Sequence, residues 1–377
     1  MSRVYVQQDA PPPSFEEAKN TRQKVRAAGM HPDYWYPAAW AKDLKPGEVK
    51  EVVFWKRSIA LFRGDDGQVR AIDNRCAHRQ LKLTTGHVEG CNLVCPYHGW
   101  AYDGQGRVVD IPHSLFGRKF PKFQVPSIPV KVKHGLIFIF PGDPEKSEDV
   151  APPDIPELQG QNPWPTVCVD STWKAHHSMI MDNVSDFTHA FLHRRFKPFD
   201  DAKLIHYETI GDTVELEYET KVGRGPISGL FVDRSRVDSD SMKLGYEYPY
   251  QRSNTDNQIK HWCFVRPIDE RTTASFFIFY FRSFRVPFTK VPLPFNVMRG
   301  LLAIGKKLTV QPLLEEDGVA VECEQDGYDR HWDAPLAELN PVVKSFQELT
   351  IRKWEEYLAS QTLTTISKKS KDEEARV

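Results

Sequence analysis

The 377-residue sequence lacks several features that mark broad classes of protein. It has no run of about 18 apolar residues, so no helix is predicted to cross a membrane. Its first residues contain no apolar core of the kind found in secretory leaders. The formal net charge is -1, so the composition gives no indication of a nucleic-acid partner.

Cysteine and glycine motifs are also scarce. The chain has six cysteines, and a disulfide framework is not predicted, because four of them show no paired spacing. These four are Cys91, Cys168, Cys263 and Cys323. The sequence has no Gly-rich dinucleotide fingerprint and no flavin motif. Aromatic residues, in contrast, make up 12% of the chain, which suits either an apolar substrate pocket or ordinary core packing.

Two short clips of cysteine and histidine carry the strongest signal. Cys76 and His78 form the first clip, and Cys95 and His98 form the second. A Rieske-type [2Fe–2S] cluster needs two thiolates on one iron and two imidazoles on the other, and each clip supplies one ligand of each kind. The alternative is a structural zinc ion held by the same four residues, as in a zinc-stapled binding protein.

The neighbours of the clips favour the cluster over zinc. Arg79 follows the first histidine directly, and Gly99 and Trp100 follow the second. A glycine at this point lets the backbone turn tightly, so that nearby amides can reach the cluster sulfurs. A zinc site needs none of these neighbours. Because the cluster is sensitive to oxygen, we expect a reducing compartment, the cytoplasm.

A second histidine pair predicts a separate metal site. His189 and His193 are four residues apart, so on a helix they lie on one face, and Asp186 shares that face. Two histidines and one carboxylate bind Fe(II) and leave coordination positions open for O2 and substrate. The best distant carboxylate is Asp317, with Glu316 as its nearest competitor, and spacing does not separate them. A packing pair is the alternative, but a cluster fused to a second domain needs an electron acceptor.

Composition divides the chain into five segments. We predict an N-terminal arm and helix over residues 1–32, and a strand-rich cluster domain over residues 33–142. A Pro-rich linker over residues 143–165 precedes the iron-binding domain at residues 166–362. A charged, disordered tail follows over residues 363–377. The run at 274–281 is apolar at nearly every position, as in a central strand buried on both faces.

With these motifs in place, the chain resembles the terminal-oxygenase α subunits of the Rieske non-heme iron oxygenases. The likeness covers about residues 33–330, in the family's order of domains. It implies an α+β protein, in which an all-β Rieske domain precedes a helix-grip-like catalytic domain with an antiparallel sheet flanked by helices. It also implies the cluster ligands Cys76, His78, Cys95 and His98 and the iron ligands His189, His193 and Asp317.

The resemblance further implies partners and assembly. Electrons would come from NAD(P)H through a separate reductase, either directly or by way of a ferredoxin. Three residues separate His189 from His193, and this spacing is similar to that of the carbazole-type terminal oxygenases. Those enzymes are homotrimers. Asp186 would then bridge the cluster of one subunit and the iron of the next, hydrogen-bonding His98 and orienting His189.

The predicted reaction is hydroxylation or oxidative demethylation of a largely apolar, aromatic or cyclic compound at the mononuclear iron. Candidate pocket residues lie near the iron ligands and in the apolar strand, although each also suits the core. They are Asn183, Phe187, Phe191, Phe231, Phe277 and Phe279. The alternative function is a Rieske electron-transfer protein with a non-catalytic second domain.

Residues 286–310 combine prolines, apolar residues and the basic residues Lys290, Arg299, Lys306 and Lys307. This composition is compatible with a lid, a docking patch for an acidic ferredoxin, a membrane-surface contact or an ordinary connection. The sequence does not choose among these four.

Overall fold

The computed structural model describes residues 10–112, 122–199, 201–221, 240–282, 284, 289, 291–336 and 338–374, with side chains up to residue 362. The chain forms two compact units. One consists of Pro32–Asp154 together with Arg266–Asp269. The other consists of Met1–His31, Ile155–Val265 and Glu270–Val377, so the N-terminal helix folds with the iron-binding segment.

Among its described residues, the first unit contains ten short strands, as its alternating apolar runs and turn clusters predict. They form three antiparallel sheets, with the orders β1-β10-β9, β2-β3-β4 and β5-β6-β7-β8. The strands are β1 (Tyr36–Trp40), β2 (Val49–Phe54), β3 (Arg57–Arg63), β4 (Val69–Asp73), β5 (His87–Glu89), β6 (Asn92–Val94), β7 (Ala101–Tyr102), β8 (Val108–Asp110), β9 (Val130–Lys133) and β10 (Leu136–Ile139). The prediction of an all-β domain is confirmed.

The second unit contains a seven-stranded antiparallel sheet with the order β11-β17-β16-β15-β14-β13-β12. The apolar run at 274–281 falls in β17, an interior strand that is buried at most positions. The strands are β11 (Thr166–Trp173), β12 (Lys203–Ile210), β13 (Thr213–Glu219), β14 (Ser241–Glu247), β15 (Tyr250–Thr255), β16 (Ile259–Asp269) and β17 (Thr272–Phe281).

In the part of the chain that the structure describes, five α-helices accompany this sheet, which confirms the α+β class. They are α1 (Thr21–Ala27), α2 (His177–Ser185), α3 (Phe295–Gly305), α4 (Gln311–His331) and α5 (Pro341–Glu374). Helix α5 packs on the sheet, where Phe346 stacks on Tyr246 of β14 with ring centroids 4.6 Å apart. The charge run predicts a disordered tail, but the backbone is helical through Glu374, because lysine and glutamate cost a helix little.

The sequence Ser14-Phe15-Glu16-Glu17 has the pattern of a capping box, which predicts a helix start, but helix α1 begins later, at Thr21. Ser14 and Glu17 do form the reciprocal side-chain to backbone hydrogen bonds of a capping box. They enclose only a turn, and the helix starts at Thr21 because the Asn20 side chain accepts from the Gln23 amide.

A buried guanidinium ties α1 to the two helices beside the metal-binding residues. Arg26 donates to Ser178 and Asp182 of α2 and to Glu324 of α4, over 2.6 to 2.8 Å. Gln347 of α5 also donates to Asp182. Burial raises the pKa of Asp182 to about 6, although Arg26 acts in the opposite direction. The network sets the positions of α2 and α4.

Helices α3 and α4 are joined by a π-helical turn, Lys306–Val310. Pro312 explains the irregularity, since it has no N–H to donate to the carbonyl of Leu308, which an α-helix requires. None of the helices in the described part of the chain has the length and apolar character needed to cross a membrane.

Candidate metal centres

The two clips of the first unit place their thiols inside and their imidazoles outside. Cys76 follows β4 and Cys95 follows β6, and both side chains are buried in a core with Ile72, Leu93 and Tyr102. The rings of His78 and His98 are more accessible and lie with their centroids 4.6 Å apart.

Hydrogen bonds reach both sulfurs. The Tyr102 hydroxyl donates to Cys76 Sγ over 3.2 Å and accepts from the Ala77 amide over 2.8 Å. Burial raises the pKa of the Cys95 thiol, while the amides of Tyr97 and His98 lower it by donating to the sulfur. Amides aimed at the sulfur stabilise a thiolate, as a cluster ligand requires.

Gly99 permits the second clip to turn, as the sequence predicts. Its φ of +69° lies in the left-handed region. A Cβ here would lie 2.5 Å from Cγ of Pro112, so a larger residue meets both strain and a clash. The Trp100 indole stacks on His78 at 4.8 Å and holds that imidazole in place. Two buried thiols and two convergent imidazoles fit a Rieske [2Fe–2S] cluster.

The second unit brings His189, His193 and Asp317 together. One ligand atom from each lies within 4.8 Å of the others. Asp317 Oδ1 is 3.3 Å from His193 Nε2 and 3.8 Å from His189 Nε2. Asp317 comes from α4, so the third group is distant in sequence, as predicted. Two imidazoles and one carboxylate fit a mononuclear Fe(II) with open positions.

The histidines do not lie on a helix, so that prediction is wrong. Helix α2 ends at Ser185, and Asp186 is extended with φ -100° and ψ 95°. Its carboxylate accepts from the amide and hydroxyl of Thr188 and starts a chain of turns. Within these turns the His189 and His193 rings still lie 5.2 Å apart.

Glu316 lies at the opposite edge of the His193 ring from Asp317. Its Oε2 is 2.8 Å from Nδ1, so the neutral imidazole donates from Nδ1 and leaves Nε2 facing Asp317. Burial lowers the pKa of His193, but the bonds to Asp317 and Glu316 outweigh it, so this pKa is raised. For His189 burial prevails and the pKa is lowered.

Asp186 lies next to this group and is tied to Asn340. The Asn340 amide donates to Oδ1 of Asp186 over 3.0 Å and to the hydroxyl of Tyr218 over 3.0 Å. The backbone carbonyl of Asp186 accepts from the His189 ring, so it is this carbonyl that orients the imidazole. No spacing in the sequence points to Asn340, which precedes α5.

A pocket opens beside the three residues and contains about 1020 Å³ of empty space, part of it open to solvent. Asn183, Phe187, Phe277 and Phe279 line it as expected. Asn183 also donates to Asp317 over 3.2 Å. Phe191 does not line it; without a helix here the side chain turns outward and is 79% exposed. Phe231 lies outside the described residues.

Other lining residues were not predicted because they come from separate strands, the turns after His193, the π-helical turn and the start of α4. They include Phe199, Met242, His261, Phe281, Thr309 and Leu313. Burial lowers the pKa of His261 to about 4, so the ring is neutral. Its nitrogens contact Ser253 and Gln251 at 2.7 and 3.2 Å. Thr309 Oγ1 is buried and has no hydrogen-bond partner within the described part of the protein.

Comparisons with known proteins agree with both centres. The family described as the Rieske [2Fe-2S] domain matches residues 34–121. The family described as the vanillate O-demethylase oxygenase C-terminal domain matches residues 173–361, half of the chain.

One related protein matches nearly the whole chain, and others match part of it. A 4beta-methylsterol monooxygenase of Methylococcus capsulatus is 44% identical over 362 residues, 96% of each protein. The oxygenase component of dicamba O-demethylase from Stenotrophomonas maltophilia is 31% identical over 52% of this chain and 57% of its own length. The crystal structure of dicamba monooxygenase bound to dicamba has a TM-score of 0.65 at 21% identity, covers 90% of this chain and all of that one, and shows the same fold.

An oxygenase is favoured over a simple electron carrier or a zinc-stapled protein by these matches, by the cysteine and histidine clips and by the His/His/Asp group. The protein carries a [2Fe–2S] cluster and a mononuclear iron, and acts as the terminal oxygenase of a system that uses O2 and a reductase. The chain belongs to the Rieske non-heme iron oxygenases.

Proposed function

We propose that this oxygenase hydroxylates a methyl group on an apolar, polycyclic substrate of the methylsterol class, as a step of oxidative demethylation. The pocket carries the proposal, because apolar side chains surround the open side of the His/His/Asp group. The 44% identity with a 4beta-methylsterol monooxygenase over nearly the full length supports the same class of substrate.

The pocket combines a large apolar surface with few polar groups. Phe187, Phe277 and Phe279 would pack against a ring system and exclude water from the iron.

The unpaired hydroxyl of Thr309 would bind a polar substituent of the substrate. On a helix, a threonine hydroxyl commonly bonds to a carbonyl of the preceding turn, but Thr309 Oγ1 does not. An unpaired buried hydroxyl costs about 1–3 kcal/mol, and a substrate hydroxyl or carbonyl would remove that cost. Binding at this point would fix which methyl group faces the iron.

Each metal-binding residue has a defined role in this proposal. Cys76, Cys95, His78 and His98 would hold the cluster, and His189, His193 and Asp317 the iron. The bound groups supply single-electron delivery and O2 activation, respectively. Glu316 would fix the His193 tautomer, and Asn183 would orient the Asp317 carboxylate.

Asp186 would conduct electrons between subunits of a homotrimer. Its carboxylate would accept a hydrogen bond from His98 of a neighbouring subunit while its own carbonyl holds His189. Three further features are predictions as well. They are a cytoplasmic location, a ferredoxin between reductase and oxygenase, and membership of the carbazole-type subgroup. The likeness in histidine spacing supports the subgroup and the trimer.

Metal analysis and product analysis together test the function. Anaerobically purified protein should contain about three irons and two acid-labile sulfides per chain. Supplied with a reductase, NAD(P)H and O2, it should convert a 4-methylsterol to a product oxidised at that methyl group. Correct metal content without oxidation of any methylsterol would reject the substrate class, and about two irons to two sulfides would reject the mononuclear site.

A further inference from the structure

Helix α3 has two apolar stripes, one buried and one exposed. Met298 and Leu302 are buried on the inner face. Val297, Leu301 and Ile304 lie on the outer face at intervals of four and three residues and are 46–58% exposed. Leu308, in the π-helical turn, extends the outer face and is 61% exposed. Exposed apolar residues concentrated on one face mark an interaction surface rather than ordinary surface variation.

The segment that carries this outer face has charges of a single sign. No aspartate or glutamate occurs between Glu270 and Glu315. Arg299 and Lys307 are exposed in the same segment, while Lys306 is half-buried and donates to the carbonyl of Cys168. An apolar stripe on a segment whose charged side chains are all basic is complementary to a surface that is apolar inside and anionic at its edge.

The outer face continues directly into the substrate pocket. Leu308 is followed by Thr309 and Val310, and both line the pocket, as does Leu313 one turn later. An apolar compound that leaves a surface covering Leu308 therefore meets further apolar side chains. This continuity favours a lipid surface over a protein partner, because a protein that covered Leu308 would not supply an apolar substrate to the pocket.

We propose that the outer face of α3, formed by Val297, Leu301, Ile304 and Leu308, docks on an anionic lipid bilayer, from which the pocket takes its substrate. The inference rests on the proposed function, because a substrate dissolved in the bilayer requires that class of compound. The helix lies in the interface with its apolar side chains among the acyl chains, while Arg299 and Lys307 face the phosphate groups. Docking is peripheral and does not require a spanning helix.

Vesicle co-sedimentation of the full-length holoenzyme tests the docking. Vesicles of phosphatidylcholine alone are compared with vesicles that also contain phosphatidylglycerol, with no sterol in either. The wild type should pellet with the anionic vesicles, and Leu301→Glu/Ile304→Glu should lower the apparent affinity by about tenfold or more. Ile210→Glu is the matched control, since Ile210 is 63% exposed at the end of β12 and should have no effect. Mononuclear iron content verifies that each variant is folded.

Three results would overturn the proposal. The first is a failure of the wild type to bind anionic vesicles, or equal binding by the double variant. The second is a changed oligomeric mass of the double variant, which would make the face a contact between copies. The third is slower reduction of the cluster of the double variant by the reductase, with vesicle binding unchanged. This result would make the face a docking site for the reductase. Turnover of detergent-dispersed methylsterol by the wild type reports separately on the proposed function, because vesicle binding needs no substrate.

Discussion

His193 and Glu316 are joined by a contact of 2.8 Å between Nδ1 and Oε2. The neighbouring residue Asp317 faces Nε2 of the same ring at 3.3 Å. Two consecutive acids of α4 thus hold opposite edges of one buried imidazole. Only Asp317 belongs to the group of three metal-ligating side chains, so the two carboxylates are distinguished by the edge they face.

Replacing each acid should therefore give a different iron content. Asp317→Ala should lose the mononuclear iron, because it removes a proposed ligand. Glu316→Ala should keep the site but lower Fe(II) affinity by about 10–100-fold, because the imidazole loses its orientation. The measurement is an anaerobic Fe(II) titration, with acid-labile sulfide as the internal standard. Glu315→Ala, an exposed acid of the same helix, is the control. Equal losses in both variants would contradict these roles.

Asp186→Asn should separate metal loading from turnover. The amide oxygen can still accept from Asn340, so both centres should remain occupied. Steady-state turnover should fall by about 10–100-fold. The neutral asparagine no longer stabilises a positive charge on His98 and forms a weaker hydrogen bond with that ring. Stopped-flow reoxidation of the reduced cluster in the presence of substrate and O2 gives the electron-transfer rate. A normal reoxidation rate would reject the bridge.

Thr309→Val should discriminate between substrates with and without a polar substituent. Valine has nearly the same shape but lacks the hydroxyl, so KM should rise about tenfold for a hydroxylated sterol, corresponding to one lost hydrogen bond. For a sterol analogue that lacks the hydroxyl, KM should stay constant. Thr309→Ser should restore the wild-type value. An equal rise for both compounds would indicate altered packing rather than recognition.

Gly99→Ala should lower the [2Fe–2S] content of the purified protein. The new methyl group would occupy a left-handed position and lie 2.5 Å from Pro112. Gly47→Ala is a matched control, because Gly47 also has a positive φ of 82° but no atom within 4 Å of the added Cβ. Visible absorbance and sulfide per chain measure the cluster. Similar losses of cluster in both variants would mean that backbone strain alone, and not the contact with Pro112, causes the effect.

His177 should make stability depend on pH. Burial lowers its pKa from 6.5 to about 4, and its ring contacts the Ala28 carbonyl at 2.9 Å. As the pH falls, His177 takes up a proton in the unfolded chain before it does so in the folded one. The contribution of His177 to the free energy of unfolding is therefore present above about pH 6.5 and is lost as the pH falls to about 4. The loss is about 3 kcal/mol in total. His177→Gln should therefore show a smaller decrease in Tm between pH 7.5 and pH 5. His206→Gln, at an exposed site, should keep the wild-type decrease.

Local patterns in the sequence were sufficient for much of this description. The clips of Cys76 and Cys95 carry their chemistry within a few residues, and Gly99 is needed where the backbone must turn. The apolar run of β17 similarly indicates an interior strand by composition alone. These predictions succeed because the interactions involved are between residues close in the chain, or depend only on how apolar a segment is.

Tertiary structure decided the features that depend on distant residues. The regular spacing of His189 and His193 suggests a helix, but the Asp186 carboxylate bonds to Thr188 and replaces that helix with turns. The choice between Asp317 and Glu316 depends on which edge of His193 each acid faces, and spacing along α4 carries no such information. Thr309 becomes part of the pocket only because Pro312 disrupts the helix beside it. Short-range bonding and hydrophobicity can be read from the sequence. The convergence of strands, turns and helices on one pocket exists only in the folded chain.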